Sequence, residues 1–116
     1  MPEPDYFIKT GDTGSPFVTT LENSAGTAVD IQGASVLFKM APLSGGTLTL
    51  VGTCTVLQVG AGTVDGSRGQ VSFNWPTGGV ATADWYRGEF EVTYMSGTIQ
   101  SFPNSGYALI SVEEDL

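Results

Sequence analysis

Alternation of apolar and polar residues is the clearest pattern along the chain, and it has the period of a β-strand. In the run 85–94 the even-numbered residues are apolar or small, whereas the odd-numbered residues are mostly polar or charged. The runs 34–40 and 70–75 alternate in the same way. Because successive side chains of a strand point to opposite faces, each run predicts a strand with one face in a core.

Shorter extended runs complete this pattern. Strands are also predicted, between segments rich in Gly, Pro, Asn and Asp, at 6–8, 16–21, 27–31, 98–102 and 107–112. The run 47–59 is long for one strand, and Gly52 is the expected position of a bulge or bend. No window has the 3.6-residue period of a helix. Some seven to eight short strands at even spacing predict an all-β antiparallel sandwich, with a barrel as the alternative.

Length and composition fit one domain of this kind. The chain has 116 residues, of which 41% are hydrophobic, enough for one core. We expect a single sandwich domain over residues 1–116, with a flexible arm at 1–5 and an acidic tail at 113–116. Cys54 is the only cysteine, so no disulfide can form within the chain, and a small core residue is expected there. The first residues lack the features of a signal peptide, and no apolar run approaches the length of a membrane span.

The net charge of the chain restricts the classes of partner that it is expected to bind. Twelve acidic residues against four basic ones give a formal net charge of −8. Such a surface repels phosphate backbones and anionic lipid headgroups. We therefore expect neither nucleic acid nor a membrane surface as a partner.

Residues that could carry chemistry are few. The chain has no histidine, which removes the commonest general base and metal ligand. Glu89 and Glu91 would lie about 7 Å apart on one strand face, a separation that an inverting glycosidase uses, but this face is the polar one. Turn chemistry accounts for Asp12, Asp30, Asp65 and Asp84 without a calcium ion. We predict no catalytic residue, no cofactor and no metal site.

Trp85 is the most informative aromatic residue. It lies out of phase with the core set Tyr86, Phe90 and Tyr94, whereas Trp75 is in phase with its neighbours and is expected in the core. Trp85 is either covered by a loop or edge, or it is an anchor for another protein, since tryptophan is enriched in interface hot spots. The predicted interface residues are Trp85, Arg87 and Glu89.

Four stretches together resemble a known family, the N-terminal domain of the phage upper baseplate protein. The resemblance covers about residues 7–112 and lies in the order and spacing of the stretches more than in any one of them. They are Asp12-Thr13-Gly14-Ser15-Pro16-Phe17 with Thr20-Leu21; Gly26 through Val29-Asp30-Ile31-Gln32-Gly33-Ala34-Ser35-Val36 to Phe38-Lys39-Met40; Gly69-Gln70-Val71-Ser72-Phe73-Asn74-Trp75; and Tyr86-Arg87-Gly88-Glu89-Phe90-Glu91-Val92 through Gly97 to Ser101-Phe102-Pro103.

The resemblance implies an immunoglobulin-like β-sandwich in the virion of a tailed phage, made in the host cytoplasm. In that family the domain anchors a longer chain to the baseplate hub, and it carries no catalytic residues to transfer. We therefore expect a non-enzymatic structural protein of the baseplate or tail that binds other phage structural proteins, with homo-oligomerisation in a ring as a further expectation.

The sequence ends at Leu116, before the distal part that the family carries, so we expect either a free-standing tail, neck or capsid accessory protein or a piece of a longer protein. Three other functions also stay open. One is a capsid or neck decoration protein. A second is a carbohydrate-binding module that uses Trp85. A third is a small hydrolase that uses Glu89 and Glu91.

Overall fold

The described chain is built entirely from strands, turns and loops. A computed structural model of the protein describes residues 3–58, 60, 62 and 64–116, and none of these lies in a helix. The strands are β1 (Tyr6–Lys9), β2 (Phe17–Thr20), β3 (Ser35–Pro42), β4 (Leu50–Thr53), β5 (Thr55–Val56), β6 (Gln70–Phe73), β7 (Asp84–Thr93), β8 (Ile99–Phe102) and β9 (Ala108–Glu113). The all-β prediction is confirmed, with nine strands in the described residues because the run 47–59 forms two of them.

The strands form two sheets with an immunoglobulin-like order. The six-stranded sheet runs β1-β9-β7-β3-β4, with β8 also paired to β7, and the three-stranded sheet runs β2-β6-β5. If β2 and β3 are taken as the second and third strands of an immunoglobulin domain, these orders match its two sheets. The pairs are antiparallel except for β1 and β9, which run parallel. The predicted immunoglobulin-like sandwich is therefore confirmed, with one parallel pair that the sequence did not indicate.

Aromatic side chains fill the space between the two sheets. Phe38 of β3 is fully buried, and its ring centroid lies 4.8 Å from that of Phe73 and 5.0 Å from that of Phe90. Phe17 of β2 lies 5.6 Å from Phe38 in an edge-to-face arrangement. Trp75, predicted in the core, is 5% exposed. Because Phe17 and Phe73 come from one sheet and Phe38 and Phe90 from the other, these contacts hold the sheets together.

The chain passes from one sheet to the other at Cys54. Cys54 lies between β4 and β5, and its backbone N–H donates to the carbonyl of Val36 at 2.8 Å. The predicted bend at Gly52 is wrong, because Gly52 lies inside β4 opposite Phe38. A Cβ atom at Gly52 would lie 2.5 Å from Cε1 of Phe73. Glycine is thus required at this position by the packing of a ring from the other sheet.

Two other segments have a structure that differs from the prediction. The run 27–31 forms only a single bridge, between Ala28 and Glu22, although Ile31 is fully buried. Glu113, expected to open the acidic tail, is the last residue of β9. No helix of the described residues is long and apolar enough to cross a membrane.

The segment before β1 is bound to β9. Asp5 donates its backbone N–H to the carbonyl of Leu109 at 2.8 Å, and its side chain accepts the N–H of Leu109 at 2.7 Å. Asp5 therefore continues the pairing of β1 with β9 by one residue. Met1 and Pro2 of the expected arm, and Val59 of the predicted run 47–59, lie outside the described residues.

Candidate functional site

The three predicted interface residues share the outer face of the six-stranded sheet, the face turned away from the core. Along β7, Trp85, Arg87 and Glu89 alternate with the buried Tyr86 and Gly88. Trp85 and Arg87 are half-buried, whereas Glu89 is exposed. Since β7 is paired along both sides, the three side chains stand on a strand in the interior of the sheet.

A second aromatic residue lies near Trp85 on the same face. Ser111 of β9 is paired with Trp85 on one side and with Phe7 of β1 on the other. Phe7 is 69% exposed, the larger part of a ring in solvent. Two strand spacings separate it from Trp85, which is about 10 Å. We call Phe7 and Trp85 the aromatic pair. Sequence reasoning missed Phe7. A run of three apolar residues predicts a strand but does not show which strand it pairs with.

A groove of about 350 Å³ opens on the outer face. We call it the outer groove. Arg87 and Glu89 line it together with Lys39 of β3, but Trp85 is not among its lining residues. Its remaining walls come from β3, from the β3–β4 loop, from β7 and from the segment before β9. They are Ala41, Gly46, Thr47, Leu48, Gly88, Gly106 and Tyr107. The structure thus brings two of the three predicted residues into one concave site and places the third outside it.

The charges on the outer face are partly paired. Nζ of Lys39 lies 2.7 Å from Oε2 of Glu91, and both side chains are about a quarter exposed, at 26% and 28%. Nε of Arg87 donates to the carbonyl of Pro42 at 3.2 Å. Lys9 of β1 stands on the same face two residues after Phe7, so three of the four basic residues in this acidic chain lie there, and Lys39 and Arg87 are each held in a fixed position. Such fixed charges orient a partner more than they strengthen its binding.

Three of the acidic residues considered for chemistry are engaged in local structure. Glu91 is paired with Lys39, so the two carboxylates of Glu89 and Glu91 have different surroundings. Asp30 accepts the backbone N–H of Gln32, and Asp84 accepts that of Trp85. Within the described part of the chain, no group of three or more Asp, Glu, Cys or His side chains is placed to hold a metal ion.

The thiol of Cys54 is held in the interior. Cys54 is 7% exposed, and burial raises its pKa from the ordinary 9.0 to about 12. Because the thiolate is the reactive form, a thiol with this pKa is a poor nucleophile near neutral pH. The prediction of a small core residue at Cys54 is confirmed by its position.

No protein-family model, curated protein or solved structure matches this chain. The immunoglobulin-like fold rests on the strand order and the core of the chain itself. A function is therefore proposed from the geometry of the outer face, together with the family resemblance of the sequence.

Proposed function

We propose that this protein is a non-enzymatic structural domain of a tailed-phage particle and that it binds other virion proteins through the outer face of its six-stranded sheet. The observation that carries the proposal is the aromatic pair, in which a half-buried Trp85 stands beside the 69% exposed ring of Phe7. Aromatic side chains bury much area at little entropic cost, and tryptophan is enriched among residues that dominate binding energy.

Further apolar side chains extend this surface beyond the aromatic pair. Leu48 at the rim of the outer groove is 54% exposed, and Val51 of β4 is 48% exposed. Ile99 of β8, which is paired with the outward Thr93, is 63% exposed. Exposed apolar residues gathered on one face are typical of protein interaction sites. The fixed charges of Arg87 and Lys39 would set the orientation of the partner.

The setting in a phage particle is supported by the family resemblance. That resemblance implies an immunoglobulin-like sandwich that attaches to other baseplate or tail proteins, and the chain has this fold. The same surface would serve a capsid or neck decoration protein, which is the alternative within the same class. Repeated copies in a ring would place one outer face against the next protein of the particle.

The direct test is to locate the protein by cryo-EM in purified particles of the phage that encodes it. We expect density for the sandwich at a defined position, with the aromatic pair against a neighbouring protein. Its absence from purified particles would refute the proposal. The variants Trp85→Ala and Phe7→Ala are expected to lower incorporation into particles. Val64→Ala, which shortens an exposed apolar side chain in the loop between β5 and β6, is the matched control away from the outer face and is expected to be neutral.

A carbohydrate-binding module is the second candidate, because the aromatic pair gives two rings on one face. Such a module presents aromatic rings to the apolar faces of sugars, and Phe7 and Trp85 stand on either side of the small Ser111. Binding on a glycan array that is lost in both Trp85→Ala and Phe7→Ala would favour this candidate. Glycan binding that persists in both variants would show that the aromatic pair is not the carbohydrate-binding site.

A further inference from the structure

One long edge of the three-stranded sheet has no strand beside it. β2 is paired with β6 alone, and no strand of the described chain lies on its other side. In an immunoglobulin-like sandwich the first strand lies beside the second. Here β1 pairs with β9 of the other sheet, so the edge of β2 stays open.

The backbone of β2 offers hydrogen-bonding groups at this edge. The N–H of Leu21, just after β2, donates to the carbonyl of Gly69 at 2.8 Å, so it points towards the β6 side. Since these directions alternate along an antiparallel strand, Val18 and Thr20 direct their N–H and C=O groups outward. β2 contains neither a charged residue nor a proline, which are the residues that protect exposed edges from pairing.

A groove with both polar and apolar lining residues runs along the open edge. It has a volume of about 420 Å³ and lies between β2 and the segment from the end of β8 to the start of β9. We call it the edge groove. Its lining includes the core residues Phe17, Leu21, Phe90, Phe102 and Ala108. A strand added beside β2 would therefore place every second side chain over these core residues.

The charges around the edge groove are negative. Asp5 and Glu22 line it, and no Lys or Arg does. Glu22 follows the end of β2, whereas Asp5 lies near its beginning because the neighbouring Tyr6 stacks on Phe17 with ring centroids 4.6 Å apart. The groove thus has one carboxylate towards each end. A strand with basic residues at its ends complements this arrangement, and a second copy of a chain with net charge −8 does not.

We propose that the edge groove binds an extended segment of another protein, which adds a fourth strand to the three-stranded sheet beside β2. The segment carries apolar residues at alternate positions and Lys or Arg at its ends. Backbone hydrogen bonds to Val18 and Thr20 hold it, and the core residues at the base of the groove contact its apolar side chains. This inference goes beyond the proposed function, because it needs neither the outer face nor a phage particle.

The probe for the test is a fluorescently labelled nonapeptide of the sequence Lys-Arg-Val-Thr-Val-Thr-Val-Arg-Lys. It is titrated into the full chain, with fluorescence anisotropy for affinity and NMR for the binding site. We expect saturable binding and chemical-shift changes confined to β2 and the edge groove. The amide protons of Val18 and Thr20 should exchange at least about tenfold more slowly in the complex, because they become hydrogen-bonded.

Variants separate strand addition from general attraction. Val18→Pro removes one outward N–H and leaves the bonds between β2 and β6 intact, so we expect about tenfold weaker binding. Val18→Ala keeps the N–H and loses only the exposed side chain, so it should weaken binding much less than Val18→Pro does. Glu22→Gln should weaken binding and reduce its dependence on salt. A peptide N-methylated at the amides that face β2 should not bind, which tests the same bonds without changing the protein.

Four results would overturn the inference. They are shift changes that map to the outer face, equal binding of the N-methylated peptide, equal binding of a peptide with Glu in place of Lys and Arg, and dimerisation through β2 in the absence of peptide. Trp85→Ala should bind the peptide like the unchanged chain. Its effect on particle incorporation therefore tests the proposed function separately.

Discussion

The two faces of the six-stranded sheet are made by the same strands and have opposite properties. On the inner face of β7, Tyr86, Phe90 and Val92 are almost completely buried against the other sheet. On the outer face, Trp85 and Glu91 of the same strand are only half-buried and are free of any covering sheet. The inner face thus specifies the fold, whereas the exposed positions of the outer face can change with little cost to stability. β7 shows that one strand can serve packing and binding at once because its side chains alternate.

The largest difference in stability between the two faces is expected when an aromatic ring is removed from the inner face. Phe90→Ala should lower the free energy of unfolding by about 3–5 kcal/mol, because it deletes a ring packed between Phe17 and Phe38. Glu89→Ala, one residue away on the outer face, should change it by less than about 0.5 kcal/mol. Urea unfolding of both variants measures the difference, and equal effects would contradict the division between the faces.

A side chain added to the inner face should also be costly. Gly88 lies between Arg87 and Glu89 but faces inward, and a Cβ atom there would lie 2.6 Å from Cδ1 of Ile110 and 2.8 Å from Cε1 of Phe38. Gly88→Ala should therefore cost about 1–3 kcal/mol of stability. Gly14→Ala is the control, because no atom lies within 4 Å of its Cβ position and its φ is not positive. Thermal unfolding that shows no difference between the two variants would contradict this packing.

The buried thiol of Cys54 should make the free energy of unfolding depend on pH in the alkaline range. In the folded chain the pKa of Cys54 is raised to about 12 by burial, whereas in the unfolded chain it is near 9.0. Below about pH 9 the thiol is protonated in both states and contributes no pH dependence. As the pH rises from 9.0 towards 12, only the unfolded state loses the proton, so the free energy of unfolding falls by up to about 1.4 kcal/mol per pH unit.

Comparison with Cys54→Ala isolates this effect. The pKa values of Tyr6, Tyr86 and Tyr94 are also raised, chiefly by burial, but these tyrosines are common to both chains. The stability difference between wild type and Cys54→Ala, measured by urea unfolding, should therefore decrease above about pH 9 and stay constant below it. Parallel pH profiles would contradict the burial of the thiol.

The smallest effect is expected on the outer face. Lys39→Met breaks the ion pair with Glu91, and we expect a loss of no more than about 1 kcal/mol because both side chains contact solvent. Added salt should reduce the difference between wild type and variant. A double-mutant cycle with Glu91→Gln isolates the pair energy. A coupling as large as the loss in Phe90→Ala would show that the outer face also determines the fold.

The alternation of inward and outward residues along a strand was predictable, because burial of one face imposes a period of two residues. This holds for β3 and for β7, whose inward Phe90 was assigned to the core side. It does not describe β9, where the outward Leu109 and Ser111 are also buried. It fails at 27–31, which has the composition of a strand. There Asp30 accepts the N–H of Gln32, and the N–H of Ala34 donates to the carbonyl of Ile31. These turn bonds end the segment, and before them Val29 and Ile31 donate their N–H groups to the carbonyls of Leu21 and Gly66 instead of joining one regular strand.

Pairing between distant strands was not predictable from local patterns. β1 and β9 come from opposite ends of the chain, and the bond between Asp5 and Leu109 joins residues 104 positions apart. Consequently the outward direction of Trp85 could be predicted from β7 alone, but the nearby Phe7 could not. The open edge of β2 was missed for the same reason, since it exists only because β1 pairs elsewhere.

The parallel pairing of β1 with β9 also determines how the molecule would respond to mechanical force. When the chain is pulled by its two ends, parallel strands that are adjacent slide past each other along their length. The hydrogen bonds between β1 and β9 are then loaded in shear and share the tension, instead of opening one after another. The bond from Asp5 to Leu109 and that from Thr10 to the carbonyl of Glu113 lie at the two ends of this pair. The hydrogen bonds between the two terminal strands therefore resist extension of the whole domain.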